Sequence, residues 1–356
     1  VHGKPVTVKD IAQQCGVSVM TVSWALRGDR SHVGEETMAR VVLAAEALGY
    51  DRHRTHAARR LRYTGTSHDQ APLNHLIALT FSWHYGDSPY FTRILKGVGD
   101  VLHEEGFALL TDWALPRTAD PSTFPTIFAR GEVDGVLTIE GCLNEETVGA
   151  LRAHPGFGTR PIVSLFNPQA GGSAVLVDDY RGGCLLAEHL LTLGHRFFAY
   201  SAVSGWSHEE RQRGYRDTLQ AWGVDPADHL RGFHFDNASP ADAARALRDV
   251  CAWSTPPTAL LAGNDHLALR LATACEGLGV RIPDDISLVG FDDTHILPDG
   301  AGGNLLTTVR FCQDEAGRLA AAELIRQLTQ RATDTRTVTL PVELVMRGST
   351  RAIGRA

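Results

Sequence analysis

Val19, Met20, Thr21, Ser23 and Trp24 share one face of a short segment whose other face is apolar. Hydroxyls on such a face can hydrogen-bond phosphate oxygens, and apolar side chains can meet base edges such as the thymine methyl. On the opposite side Val22, Ala25 and Leu26 repeat at helical spacing and are expected to face inward. Just upstream, Thr7 and Asp10 have the Thr-x-x-Asp spacing of a capping box, which starts a first helix at Thr7. Ile11 and Ala12 turn inward and Cys15 closes this helix. Gly16 tolerates the left-handed backbone of a turn, Val17 plugs the space between the helices, and Ser18 caps the second one. Two caps, a turn glycine and a three-residue turn predict a helix-turn-helix whose second helix reads DNA. The competing reading is an ordinary helical hairpin inside a larger core.

Other chemistry is sparse. There is no Gly-rich phosphate loop ending in Gly-Lys, no His-Glu-x-x-His and no Gly-x-Ser-x-Gly elbow. The segment Gly205-Trp206-Ser207-His208-Glu209 lacks the second glycine of such an elbow. The chain is therefore not expected to be an enzyme. The six cysteines stand singly, with no Cys-x-x-Cys pair, and are expected to be small buried hydrophobes. No metal and no cofactor is expected.

These residues must be held by a chain of 356 residues, long enough for two or three domains. Residues 1–66 hold ten Lys and Arg against six Asp and Glu, whereas the remainder holds 24 against 35. A basic head on an acidic body suits a protein whose head alone meets phosphates. With no charged-then-apolar leader and no long apolar run, the expectation is a cytoplasmic protein without membrane contact. A third helix is predicted from Glu35 to Leu48, with an apolar stripe of Val41, Val42, Ala45 and Leu48. The basic, polar stretch 51–72 reads as a hinge and linker. From Leu73 onward, apolar runs such as Leu76–Phe81, Gly135–Ile139 and Ile286–Gly290 alternate with helical patterns. That alternation predicts parallel sheets flanked by helices, in two lobes with a cleft between them. Asn264, Asp265, Asp292 and Asp293 follow two of the runs, where open parallel sheets bind ligands. Asp284 and Asp285 are assigned to a turn after Pro283.

Val6-Thr7-Val8-Lys9-Asp10-Ile11-Ala12 through Thr21-Val22-Ser23, Leu48-Gly49-Tyr50, Leu193-Gly194-His195-Arg196, Gly263-Asn264-Asp265, Ile282-Pro283-Asp284-Asp285-Ile286 through Gly290-Phe291-Asp292-Asp293, and Leu306-Thr307-Thr308-Val309 carry a resemblance. The chain resembles, almost end to end, the lactose-repressor/galactose-repressor family of transcriptional regulators. That likeness implies an all-α helix-turn-helix head, residues 1–50, and a hinge, 51–72. It also implies an α/β two-lobed body similar to periplasmic binding proteins, 73–356. Lobe one is expected at about 73–181 and 310–335, and lobe two at about 182–309 and 336–356. It further implies a homodimer on a near-palindromic, double-stranded operator, expected to act as a repressor and to respond to a small effector. A sugar is the expected effector, and a purine or other small polar metabolite is the alternative.

By matching position, Thr7, Ser18, Thr21, Ser23 and Arg27 should hold phosphates, and Val19, Met20 and Trp24 should face bases. The family often has arginine where Trp24 stands. A site read partly through thymine methyls and shape follows, unless Trp24 merely packs. In the hinge, Arg52-His53 replaces the usual Pro-Asn, and Ala58-Arg59-Arg60-Leu61 arrives about two residues late. Leu61 best matches the leucine that wedges into the minor groove; the alternative is that only Arg59, Arg60 and Arg62 touch phosphates. In the cleft the likeness assigns Tyr90, Phe91, Arg211, Phe235, Asn264, Asp292 and Phe311 to the effector. Trp83, His84 and Asn167 are placed within reach.

Overall fold

The computed structural model describes residues 6–27, 32–48, 50, 73–81, 88–112, 131–140, 142–154, 156–168, 172–235 and 239–354. The hinge with Leu61, and Trp83 and His84, lie outside the described residues, as does the side chain of Arg27. The chain divides into two compact units, residues 1–72 and 73–356.

Among its described residues the first unit holds three helices, α1 (Val8–Cys15), α2 (Val19–Arg27) and α3 (Glu35–Ala47). Local chemistry sets their ends. The Thr7 backbone N–H and hydroxyl both donate to Asp10 Oδ2, at 2.6 and 2.7 Å. Gly16 ends α1 at φ 65°, in the left-handed region. The Ser18 hydroxyl accepts from the Thr21 backbone N–H at 3.0 Å and opens α2. Ile11, Ala12, Val22, Ala25, Val33, Val41 and Ala45 form the core. Val42, expected in that stripe, is exposed instead. It lies 100° around the helix from Val41, so the buried row runs through Met38, Val41, Ala45 and Leu48.

Among its described residues the second unit contains two six-stranded sheets of matching topology. Strands β1 (Leu76–Thr80), β2 (Ala108–Asp112), β3 (Gly135–Ile139), β4 (Ile162–Leu165), β5 (Ser173–Val177) and β11 (Thr337–Leu340) order as β11-β5-β4-β3-β1-β2. Strands β6 (Phe198–Ser201), β7 (Leu230–Phe233), β8 (Ala259–Leu261), β9 (Ser287–Asp292), β10 (Thr307–Arg310) and β12 (Glu343–Val345) order as β12-β10-β9-β8-β6-β7. Every pairing is parallel except β10 with β12. Residues of β3, β4, β5 and β9 are buried along their full length. Such continuous apolar runs arise where helices cover both faces of a sheet. Among the described residues the covering helices are α4 (Pro89–Glu104), α5 (Glu145–Ala153), α6 (Asp179–Thr192), α7 (Trp206–Ala221), α8 (Pro226–His229), α9 (Pro240–Cys251), α10 (Asp265–Gly277) and α11 (Gln313–Thr329).

One boundary differs from expectation. Residues 337–340 pair with β5 in the first sheet, with Thr337 opposite Ala174, so the assignment of 336–356 to lobe two begins one strand too early. The chain crosses between lobes near residues 178, 311 and 341. The last crossing was invisible in the sequence because β11 is a short edge strand with an exposed, polar pattern. Cysteines differ too: Cys142, Cys184 and Cys275 are buried, but Cys251 and Cys312 are exposed and Cys15 is intermediate. Asp285 does sit in an exposed turn, bound to the Arg281 guanidinium at 2.8 Å. Among the described residues, no helix is long and apolar enough to cross a membrane, and no cluster of His, Cys, Asp and Glu could hold a metal ion.

In both sheets the strand order reverses beside the first strand, between β1 and β3 and between β6 and β8. Ligands of open α/β sheets bind beyond the strand carboxyl ends at such a reversal. Helix packing then fixes the helices that follow. On α6, a Cβ at Gly183 would overlap the Arg211 carbonyl of α7, so only glycine lets the two helices approach this closely.

Candidate functional site

In the first unit, α2 presents two kinds of side chain. Val19 and Met20 are 47% and 59% exposed, unusual for large apolar groups on so small a unit. Thr21 lies beside them, its hydroxyl 2.8 Å from that of Ser18. Thr7 and Ser18 stand at the amino ends of α1 and α2, where unpaired backbone N–H groups attract phosphate. Trp24 is only half-buried, packs against the three-helix core and stacks on His32, with ring centroids 4.6 Å apart and planes at 21°. Ser23 is half-buried. Arg27 ends α2.

In the second unit, the site is built from helix amino ends and strand carboxyl ends. Ser88 caps α4 by accepting the Tyr90 N–H at 3.2 Å, with Pro89 in the first turn, and so sets Tyr90 at the mouth of the first sheet. The Tyr90 hydroxyl donates to Glu140, at the end of β3, at 3.0 Å. Phe166 follows β4 and Phe311 follows β10. The Tyr90, Phe166 and Phe311 rings lie 5.7–6.2 Å apart, in tilted and edge-on arrangements. Phe91, expected beside the ligand, instead stacks on Phe81 at 4.0 Å in the first-lobe core. It follows Tyr90 directly, and one step along the helix turns it 100° away. Phe235 lies beyond β7, half-buried and stacked on Phe233 at 6.0 Å, away from the aromatic trio's contacts. Asn264 caps α10; its Oδ1 accepts the Leu267 N–H at 2.9 Å, leaving Nδ2 for another partner.

Arg211 is the centre of the cleft. It is buried on the second turn of α7, and its guanidinium lies 3.5 Å from the centroid of the Phe291 ring. Its Nε–H donates to Asp179 Oδ1 at 2.7 Å, Nη1 donates to the Gly263 carbonyl, and Nη2 stands 3.8 Å from Asp292 Oδ1. Asp179 begins α6 and Asp292 ends β9. Gln313 donates to the Asp292 carbonyl at 2.6 Å, and the Ser207 hydroxyl donates to that of Phe166 at 3.0 Å, tying the lobes across the cleft. Asp179 Oδ2 and Asp292 Oδ1 are buried with no hydrogen-bond partner among the described residues. Buried carboxylate oxygens are costly when unpaired, so each marks a place where a ligand donor fits. Burial pushes both carboxyls above their usual range, against the pull of Arg211. For Arg211 burial acts against the charge, but Asp179 and Asp292 outweigh it and raise its pKa. Burial, helped by Arg211, lowers His208 to about 3.

Backbone strain marks the same place. Glu140, Phe166 and Asp292 have φ of 48°, 64° and 100°, which is unfavourable for residues with a Cβ. All three follow or end strands at the cleft, and strain of this kind collects at ligand sites. Sequence reasoning missed Glu140, Phe166 and Asp179. Asp179 had a readable signal: the Asp178-Asp179 doublet follows an apolar run just as Asp292-Asp293 does.

Asp265 supports the site from below. It is buried and accepts from the Thr308 hydroxyl at 2.6 Å and the Thr294 N–H at 2.8 Å. Burial raises its pKa to about 7 from 3.8, against these hydrogen bonds. The folded state therefore holds a proton that the unfolded chain releases between those values. This group's contribution to stability is full below 3.8 and is lost as pH rises through about 7. Asp265→Asn keeps the shape and removes that slope. Thermal unfolding followed across this range should show the variant gaining on the parent as pH rises; parallel profiles would refute the assignment.

The model for "Bacterial regulatory proteins, lacI family" matches residues 7–53, and that for "Periplasmic binding protein-like domain" matches 187–350. The HTH-type transcriptional regulator DegA of Bacillus subtilis is 30% identical over 353 residues, spanning 97% of this chain and 98% of its own. The chain belongs to the lacI family. This regulator is also 27% identical over 355 residues to the HTH-type transcriptional repressor PurR of Mannheimia succiniciproducens, covering 98% and 99% of the two chains. Its fold matches the lac repressor dimer bound to operator and the anti-inducer ONPF with a TM-score of 0.68 at 24% identity, over 98% of this chain and all of that one. The lacI-family regulator is thus a DNA-binding transcriptional regulator, and its relatives are regulators rather than enzymes.

Proposed function

We propose that this regulator is a repressor that grips a palindromic operator as a homodimer through α2 and is controlled by a small effector, a sugar, in the cleft around Arg211. The exposed Val19–Met20 pair beside the helix-capping hydroxyls supports the DNA reading, since exposed apolar groups on a capped helix suit thymine methyls in a major groove. The effector reading rests on two observations, the orphaned oxygens of Asp179 and Asp292 and the aromatic trio at the strand carboxyl ends. A sugar brings hydroxyl donors for the former and an apolar ring face for the latter. The flat rings of Tyr90, Phe166 and Phe311 also favour a purine as the second reading. Thr7, Ser18, Thr21, Ser23 and Arg27 would hold phosphates, with Leu61 in the minor groove; Asn264 and Phe311 would complete the cleft.

Selection and sequencing of bound DNA at fixed moderate salt tests this, with and without a mixture of sugars and purines. The expected result is a palindrome whose half-site spacing matches a two-fold dimer and whose enrichment changes with one of the added compounds. Enrichment no better than random with folded protein, under both conditions, would overturn it.

A further inference from the structure

The charge balance of the cleft reaches further, and this step rests on the effector reading above. Arg211 is already engaged, by Asp179 at 2.7 Å, by the Gly263 carbonyl and by Asp292 at 3.8 Å. The strongest charges acting on Asp292 are the Arg211 cation and the carboxyl groups of Asp265, Glu140 and Asp179. His208, the other ionisable nitrogen beside Arg211, is held neutral by burial. Arg93 reaches the Gln313 side-chain oxygen at 3.4 Å rather than a carboxylate. An anion entering beside Asp179 and Asp292 would leave water and meet there a guanidinium that those two aspartates already neutralise. A hydrogen-bond donor meets the opposite situation: among the described residues, Asp179 Oδ2 and Asp292 Oδ1 are buried acceptors without a hydrogen-bond partner.

We infer that the effector site selects by charge: it takes a small ligand that donates hydrogen bonds to Asp179 Oδ2 and Asp292 Oδ1 and carries no anionic group. The site accepts a free sugar or a nucleobase and rejects the phosphate ester of the same sugar or the corresponding nucleotide. The carboxylates do the rejecting, so the distinction is electrostatic rather than a matter of size.

Calorimetric titration of the full chain with matched pairs tests this. The probes are free pentoses and hexoses against their phosphate esters, and free purine bases against their monophosphates. Operator binding is measured alongside. The expected result is that the ligands that bind are the uncharged members, and that the phosphate costs at least about a hundredfold in affinity, the scale set by a buried charge without a partner. Asp179→Asn with Asp292→Asn should narrow that ratio, and circular dichroism would report whether this pair of changes preserves the fold. A phosphorylated member binding as tightly as its free partner, or a ratio unchanged in the folded double variant, would overturn the inference. If the DNA selection succeeds but no uncharged member binds, the effector reading of this cleft fails and the inference with it. If uncharged members bind selectively but no operator emerges, the inference stands and the repressor reading fails.

Discussion

Arg211→Ala should abolish effector binding and destabilise the second unit by about 3–5 kcal/mol, the usual cost of removing one partner from a buried ion pair. Two carboxylates depend on this side chain. Asp179 is 1% exposed and Asp292 7%, and without the guanidinium both would be buried charges with too few donors. The variant also loses the stacking on Phe291 at 3.5 Å. Protonation offers the carboxyls an escape. Burial already raises both, and loss of Arg211 removes the charge that holds them down. The folded variant would therefore hold protons that the unfolded chain releases, and its stability would fall as pH rises. Denaturant unfolding of parent and variant at about pH 5 and about pH 8 measures this, with the deficit expected to be larger at the higher pH. Adding Asp179→Asn to Arg211→Ala should recover part of the loss, because it removes one of the stranded charges. A deficit below about 1 kcal/mol at both pH values would show that water, not Arg211, solvates the carboxylates.

On α2, two neighbouring substitutions should separate folding from reading. Trp24→Ala should cost the first unit about 2–4 kcal/mol, somewhat below the value for a fully buried tryptophan, since Trp24 is half-buried against a core of seven buried aliphatic residues. That is a large fraction of what so small a unit can possess. Operator affinity should then fall by a similar factor for every base variant of the site. Met20→Gln should leave thermal unfolding of the unit unchanged, because Met20 is 59% exposed. It should alter preference at one base-pair position per half-site by about 1–3 kcal/mol. Competition binding against a set of single-base operator variants distinguishes the two. A position-specific effect of Trp24→Ala would mean that Trp24 touches bases despite its stack on His32.

The contrast between these residues shows why parts of this protein were legible early. Thr7, Asp10, Gly16 and Ser18 act within three or four residues of themselves, so their capping and turn roles are written in local spacing. The buried strands were equally plain, since burial on both faces demands an unbroken apolar run, as in Gly135–Ile139. The short edge strands β7, β11 and β12 were not. Their residues are partly exposed, and what makes them strands is pairing with partners far along the chain, as Thr337 pairs with Ala174.

The cleft followed the same rule. Types of residue suited to binding a polar ligand, and their positions just past strand ends, could be read directly: Arg211, Asn264 and Asp292. Which groups those residues face could not. Asp179 meets Arg211 only because the chain changes lobe at residue 178 and because Gly183 lets α6 and α7 close together. Tyr90 and Phe91 are adjacent and alike in sequence, yet one turns to Glu140 and the other to Phe81. By itself the sequence determined the helix-turn-helix, the two-lobed parallel architecture and the chemistry available to each part, because these rest on short-range spacing and hydrophobic period. Only the tertiary structure decided which side chains meet and which buried oxygens go unpaired, because those depend on how distant segments pack, and no local spacing encodes that.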